Sequence, residues 1–460
     1  NYRAMGFLKW LVLPPVLAIA AFYGYSSLSP PPKLEIPQNG WFGTGKPRPD
    51  NTKITPFTVN VPEDVLTDLR SRLENARVSH EVLEDADTFE YGFNAKYLQK
   101  VKHYWLNKFD WRKQEKILNT WPQFTTEIEG VKVHYYHVKP DAKTYKKIFP
   151  LLIVHGWPGN VFEFYKILPM LVDPLAHKVG GAEFAFEVIA PSIPGYGFSG
   201  QPKKRGFDHL VAARVFKKLM DRVGHKKFFL QGGDWGSAIT TNVAKVYPES
   251  VYGLHINLVM SNYFSPKAIA RSIFGTVFSK WLFADPHHQG YNFFSNFKTY
   301  VQESGYMHIQ ATKPDTVGTA LNDSPLGLAA YILEKFSTWT NLENRNLPDG
   351  GLTRKFTLDE LLTVVMIYWT QGNIVSSQRL YKECFTDPLN NALRQQYLSI
   401  PTAHAQFANE LFDREPTEFV RQSFNLTSHA VLPDGGHFAA LEEPLALARH
   451  FYAFVRSLNR

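Results

Sequence analysis

From Val131 onward the apolar residues fall into two interleaved patterns. Val131-Lys132-Val133-His134-Tyr135 alternates with the period of a half-buried strand, whereas Phe149 to Val154, Phe184 to Ala190 and Phe228 to Leu230 are continuous apolar runs of strand length. Helical patterns lie between them, over Phe162 to Leu171, Leu210 to Val223 and Ala238 to Val246. Strands alternating with helices predict an α/β chain with a mostly parallel sheet covered on both faces. On such a sheet the loops that carry chemistry lie at the carboxyl ends of the strands. Further strands are predicted over Val251 to Val259, Tyr397 to Ala403 and Thr427 to Leu432. Pro444 to Leu458 closes the chain as an amphipathic helix, its proline tolerated in the first turn.

Three stretches depart from that rhythm. Val65, Leu66, Leu69 and Leu73 recur at helical spacing behind Pro62-Glu63-Asp64, and Tyr97, Val101, Tyr104 and Trp105 do so again, which predicts a helical arm over residues 56–125. Residues 126–262 and 396–460 then form the two parts of the core, and residues 263–395 between them are rich in aromatics and helical patterns such as Leu328 to Phe336 and Leu361 to Trp369. A long helical insertion at the catalytic edge reads as a lid enclosing an apolar pocket. At the other end, Trp10 to Tyr25 is almost uninterrupted apolar sequence behind Arg3 and Lys9, and Phe7 to Leu28 approaches the length of a membrane span. Ala18-Ile19-Ala20 fits a signal-peptide cleavage site, while Pro14-Pro15 opposes a buried soluble helix. Nothing later needs an oxidising lumen, so the expectation is an uncleaved anchor over residues 1–29. Pro30-Pro31-Pro32 and Gly40 to Pro49 predict a stiff linker over residues 30–55.

Composition narrows the partners. The formal charge is +8, but its lysines and arginines are scattered, as in Lys203-Lys204-Arg205 and Lys226-Lys227. Without a basic helix interleaved with aromatics this argues against nucleic-acid binding and favours, if anything, an anionic membrane surface. Cys384 is the sole cysteine, which rules out an intramolecular disulfide and a cysteine metal cluster and fits a reducing compartment.

The chemistry centres on Phe228-Phe229-Leu230-Gln231-Gly232-Gly233-Asp234-Trp235-Gly236-Ser237, which reads as strand, sharp turn, helix. In a Gly-x-nucleophile-x-Gly turn the glycines let neighbouring backbone approach and lift one side chain above the sheet edge. Here that side chain is Asp234, which could otherwise simply cap the helix. A serine attacking a saturated carbon would leave an ether that water does not readily cleave; a carboxylate leaves an ester with an attackable carbonyl. Aspartate at this turn therefore points to attack on sp3 carbon. In His155-Gly156-Trp157-Pro158-Gly159 the Trp157 backbone N–H can serve an oxyanion, and the N–H of Trp235, the residue after the nucleophile, is the second donor. His155 at a strand end is expected to bond backbone rather than act as a base. Pro191 to Ser199, rich in turn formers, is expected to shape the top edge of the sheet. Pro433-Asp434-Gly435-Gly436-His437-Phe438 follows the last strand and supplies His437 as general base, in the order nucleophile, acid, histidine. This chemistry needs no metal or organic cofactor.

His155 to Gly159, Gly195-Tyr196-Gly197-Phe198-Ser199 and Gly232 to Ser237 resemble the motifs of epoxide hydrolases of the α/β-hydrolase superfamily. The anchor, the helical arm and Gly305-Tyr306-Met307-His308-Ile309-Gln310-Ala311-Thr312-Lys313-Pro314-Asp315 narrow the resemblance to the microsomal type, which includes insect juvenile hormone epoxide hydrolases. It runs through essentially the whole chain. It implies an α/β-hydrolase core with a mostly parallel central sheet, an inserted helical lid and an N-terminal helical arm behind a membrane anchor. It also implies Tyr306 and Tyr381 as proton donors to the epoxide oxygen, with Tyr368, Tyr300 and Tyr331 as near competitors and His308 a packing or surface residue. Glu410 is implied as the group that orients His437, with Asp413, Glu415 and Asp434 chemically able to substitute. The expected reaction converts a lipophilic epoxide, xenobiotic or terpenoid, and water to a vicinal diol at the endoplasmic reticulum membrane, with the catalytic domain in the cytosol. A haloalkane dehalogenase shares the aspartyl ester and could use Trp235 to cradle halide; a non-catalytic carrier of apolar ligands could reuse the pocket.

Overall fold

The computed structural model describes residues 34–78, 80–180, 183–260, 266–412 and 415–459. The anchor expected over 1–29 and Asp413 lie outside them, and no helix of the described residues is long and apolar enough to cross a membrane.

The continuous apolar runs become the middle of one sheet because both of its faces are covered. Its strands are β1 (Thr55–Phe57), β2 (Gln123–Ile128), β3 (Val131–Val138), β4 (Lys147–Val154), β5 (Phe184–Pro191), β6 (Phe228–Gly232), β7 (Val251–Ile256), β8 (Leu398–Phe407) and β9 (Phe424–Leu432). They lie in the order β1-β2-β3-β5-β4-β6-β7-β8-β9. Pairing is antiparallel from β1 to β5 and parallel from there to β9. Leu151 to Val154 on β4 and Phe228 to Leu230 on β6 are wholly buried, as central parallel strands require.

Several boundaries differ from expectation. β1 and β2 were not predicted, since Gln123-Phe124-Thr125-Thr126-Glu127-Ile128 carries little apolar signal; β2 joins β3 through Glu129-Gly130, both at positive φ (52° and 77°), the geometry of a tight hairpin turn. The helix expected over Phe162 to Leu171 is a 3-10 turn (Val161–Phe164) and a separate short helix (Leu168–Val172). Pro169 lacks the N–H that a continuous helix would need there. β7 ends at Ile256 because Asn257 turns its N–H to Gly232 O. β8 continues past Ala403 to Phe407.

The arm consists of α1 (Glu63–Glu74), α2 (Ala95–Asn107) and α3 (Trp111–Leu118). Asn94 and Asp110 cap the last two by accepting the N–H groups of Tyr97 and Lys113. The arm reaches the insertion, where Tyr104 donates to Asp359 and Arg72 to Asp323. Within the stretch expected as a linker, Phe42 is buried and its N–H donates to Glu129 O, and Arg214 binds both Glu129 and the carbonyl of Pro37.

In the core, α4 (Leu168–Val172), α5 (His209–Arg222) and α6 (Asp234–Val246) follow β4, β5 and β6. The insertion between β7 and β8 contains α7 (Pro266–Leu282), α8 (Phe293–Glu303), α9 (Gly305–Thr312), α10 (Pro314–Asp323), α11 (Pro325–Thr338), α12 (Leu358–Gln371), α13 (Ile374–Thr386) and α14 (Pro388–Arg394). α15 (Thr417–Val420), α16 (Ala439–Glu442) and α17 (Pro444–Ser457) complete the chain.

Candidate active site

Asp234 is the first residue of α6 and has φ 47°, a left-handed conformation that costs a non-glycine residue about 1–2 kcal/mol. The turn is held by close backbone approach: a Cβ on Gly236 would lie 1.9 Å from Val154 O. The cap position belongs to Gly233, and the Asp234 carboxylate does not cap its own helix. Its Oδ1 instead accepts the Trp157 N–H at 2.7 Å from the loop after β4. That approach requires Gly156, where a Cβ would meet Asp234 Oδ1 at 2.2 Å.

His437 reaches the same carboxylate from the loop after β9. Its Nε2 is 3.5 Å from Asp234 Oδ2, and its Nδ1–H donates to Glu410 Oε2 at 2.8 Å. Glu410 is buried just past β8, with its other oxygen accepting the Phe412 N–H. Of the alternatives to Glu410, Glu415 pairs with Arg271 and Asp434 with Lys355. Burial by itself would keep the His437 ring neutral, but the Glu410 and Asp234 carboxylates outweigh it and hold the imidazole well above its usual range. The loop carrying His437 is pinned by Glu442, whose two oxygens accept the N–H groups of Gly436 and Phe438. Burial pushes the Glu442 carboxyl up to about 8.

His155 is a buried structural ring. Its Nε2 accepts the Ile193 N–H at 3.1 Å, which leaves the proton on Nδ1 to donate to Gly156 O at 3.0 Å. Burial lowers it to about 4, in keeping with a neutral ring. The Pro191 to Ser199 loop grips α13: Ser376 donates to Gly195 O, Asn373 to Gly197 O, and the Tyr196 hydroxyl to Ser377 O. Trp235 lies in the first turn of α6, where backbone N–H groups lack intrahelical partners.

α9 and α13 place Tyr306 and Tyr381 over the Trp157 loop. The Tyr306 ring stacks on Trp157 (centroids 5.2 Å apart, 7° between planes), and Tyr381 stands edge-on to Trp157 at 5.8 Å and to Trp235 at 4.8 Å. The two tyrosine rings are 6.0 Å apart. Burial above all, with the Asp234 carboxylate and neighbouring groups adding to it, raises both hydroxyls well above 10, so both keep their protons at neutral pH. The Tyr381 hydroxyl has no well-formed hydrogen-bond partner among the described residues. The competitors are engaged elsewhere: Tyr368 donates to Gly159 O, Tyr331 to Gln310 and Tyr300 to Met307 Sδ. His308 is exposed on α9.

Two neighbours escaped the sequence reading. Trp339, just past α11, is fully buried, lies 4.7 Å from the His437 ring and 5.0 Å from Tyr306, and accepts the His437 N–H through its carbonyl. Glu163 lines a cavity of about 20 Å³, room for a single water, together with Asp234, His437, Gln231 and Asn257. Burial raises the Glu163 carboxyl to about 8. In the sequence Glu163 is one glutamate in an apolar run, and only its failure to fit a buried pattern marks it. A group with metal-ligand spacing occurs elsewhere, at His137, Glu187 and His225, where Glu187 is already bound by His137 at 2.6 Å and Lys139 at 3.3 Å.

The family model described as epoxide hydrolase N terminus matches residues 54–164, and that described as alpha/beta hydrolase fold matches residues 150–444. The chain is 49% identical to epoxide hydrolase 1 of Sus scrofa over 433 residues, covering 92% of this chain and 93% of that one. It is 42% identical to juvenile hormone epoxide hydrolase 2 of Ctenocephalides felis over 449 residues, covering 97% and 94%. The crystal structure of juvenile hormone epoxide hydrolase from Bombyx mori superimposes with a TM-score of 0.86 at 36% identity, over 92% of this chain and 99% of that one.

Proposed function

The chain belongs to the epoxide hydrolases, enzymes of the α/β-hydrolase fold that add water to an epoxide, and we propose that it acts on lipophilic epoxides through an ester formed on Asp234. One observation carries this reading. A strained Asp234 has one oxygen on the Trp157 N–H and the other 3.5 Å from Nε2 of a His437 bound to Glu410.

In the first step Asp234 Oδ2 attacks an epoxide carbon from behind. The C–O bond of the ring breaks, and the oxygen takes a proton from the Tyr306 and Tyr381 pair of the lid. Alkylation removes the negative charge beside His437, which weakens one of the two influences holding its proton. The ring can then return that proton towards the tyrosine pair and become a base. In the second step neutral His437 takes a proton from a water in the cavity it shares with Glu163, and the hydroxide attacks the Asp234 carbonyl. The backbone N–H groups of Trp157 and Trp235 stabilise the oxyanion on Oδ1. The diol oxygen leaves with the proton from His437, and the carboxylic acid left on Asp234 gives its remaining proton to the neutral ring, which restores the carboxylate and the imidazolium.

The aromatic enclosure of Trp157, Trp339, Tyr306 and Tyr381 supports apolar substrates, with xenobiotic epoxides and a terpenoid hormone epoxide as the two classes to compare. On the same reading the apolar stretch Trp10 to Tyr25 anchors the chain in the endoplasmic reticulum membrane with the catalytic domain in the cytosol. Protease accessibility in sealed microsomes tests that orientation. The covalent step is tested by single turnover in heavy-oxygen water followed by peptide mass analysis. Label in the Asp234 peptide is expected; label in the diol alone would overturn the ester mechanism.

A further inference from the structure

Among the described residues, nine of the fifteen large hydrophobic side chains that stand exposed fall within residues 273–309, on the outer side of the lid. On α7 the exposed large hydrophobic residues are Ile273, Phe274, Val277, Trp281 and Leu282; the helix kinks at Phe278 (φ −115°, ψ 21°), and the apolar residues continue across the kink to Trp281, which is 86% exposed. The opposite side of α7 docks on the core: Arg271 lies over the Phe419 ring at 4.2 Å and pairs with Glu415, and Gly275 packs against Phe419. On α8, Phe294, Phe297 and Val301 form a stripe, and no residue of that helix is buried. Ile309 extends the apolar surface onto α9, one turn along from the buried Tyr306.

Water is a poor cover for such a face, because contiguous exposed apolar surface of this extent marks an interaction site. Charge identifies the occupant. The exposed ionisable side chains within residues 268–312 are Lys280, Lys298, His287 and His308, whereas the two carboxylates there, Asp285 and Glu303, are partly covered and Glu303 pairs with Arg345. Apolar surfaces edged by lysines match a bilayer with anionic headgroups: aromatic rings enter the acyl boundary and lysine stems lie along it with their ammonium groups at the phosphates.

We propose that the outer face of α7 and α8 is a lipid-contact surface, which lets a lipophilic epoxide pass from an anionic bilayer towards Tyr306 without crossing water. The role in delivery rests on the reading of the enzyme as one for lipophilic epoxides; the contact itself does not. A second copy of the chain, or its own residues 1–33, are the competing covers.

The test uses the full chain with Val277→Cys or Phe294→Cys carrying a spin label, Cys384 being buried. Vesicles of phosphatidylcholine containing about one-quarter phosphatidylserine are the probe, and Tyr91→Cys on the exposed arm is the control. Binding to vesicles should shield both lid labels from a water-soluble nickel relaxant by about tenfold and expose them to oxygen, leaving the arm label unchanged. Labels that stay water-accessible on vesicles overturn the proposal. So does shielding without vesicles, whether lost on dilution, as for a second copy, or independent of it, as for the chain's own segment. For delivery, Val277→Glu with Trp281→Glu should raise the apparent KM for a long terpenoid epoxide held in vesicles by about tenfold and leave turnover of water-dissolved styrene oxide unchanged. An unchanged KM rejects delivery through this face. Absence of styrene oxide hydrolysis in the unsubstituted enzyme would count against the catalytic reading alone, since the labelling does not depend on turnover.

Discussion

The elbow and the tyrosine pair face the same buried volume but are built in opposite ways. Asp234 is placed by backbone: its φ, the wedge of Gly236 against Val154 and the Trp157 N–H leave the carboxylate one position. Tyr306 and Tyr381 are placed by side chains, ring against ring on Trp157, from helices about seventy residues apart in the sequence. The position of Asp234 is thus set by two backbone turns, the elbow and the loop after β4, and that of the tyrosines by the packed lid. Damage at the first should be all-or-none, and damage at the second graded.

Five substitutions test that contrast, from the largest effect to the smallest. Asp234→Ala should lower kcat by about 10⁴-fold or more, with no alkylated protein detectable by mass spectrometry in single turnover. Tyr306→Phe or Tyr381→Phe should each slow alkylation by about 10–100-fold and the pair by about 10³-fold or more, read by stopped-flow quenching of the tryptophans; a double variant no slower than the singles would mean the two tyrosines act only as a unit. Gly236→Ala forces a methyl into Val154 O and should cost about 2–4 kcal/mol of unfolding free energy, whereas Gly305→Ala, with no atom within 4 Å of the added Cβ, should stay within about 0.5 kcal/mol, both read from urea midpoints.

The last test is of pH. Burial raises the Glu163 carboxyl to about 8, so the folded protein holds a proton there that the unfolded chain has released above its ordinary carboxylate range. More protons on the folded state means stability falls as pH rises; the contribution is intact below about 4.5 and lost progressively by about 8. Glu163→Gln should therefore flatten the decline of urea midpoint between those values, by an amount of order 1 kcal/mol. If Glu163 also places the attacking water, hydrolysis of the ester should slow in this variant while alkylation does not, and the ester should accumulate.

Much of the parallel sheet was legible, since its strands are apolar runs that need only be buried on both faces. β2 was not, because Thr125 and Thr126 signal a strand only once β3 is there to pair with. At the site, Asp234, His437 and the Trp157 loop follow from glycine-rich turns that few other structures require. Glu410 and the tyrosines came through resemblance: a glutamate past a strand, or two tyrosines among twenty-two, carry no local mark of what they face. Trp339 and Glu163 had no such help. One contributes a carbonyl that any residue would have, and the other becomes unusual only when its burial is known.

The His437 N–H donates to Trp339 O at 3.0 Å, so the peptide that carries the imidazole is fastened to the inserted helices as well as to the core. This makes a mechanical interlock. Any outward displacement of α11 would pull on the peptide of His437 as well, so the alignment of Nε2 with the Asp234 carboxylate is tied to the seating of that helix.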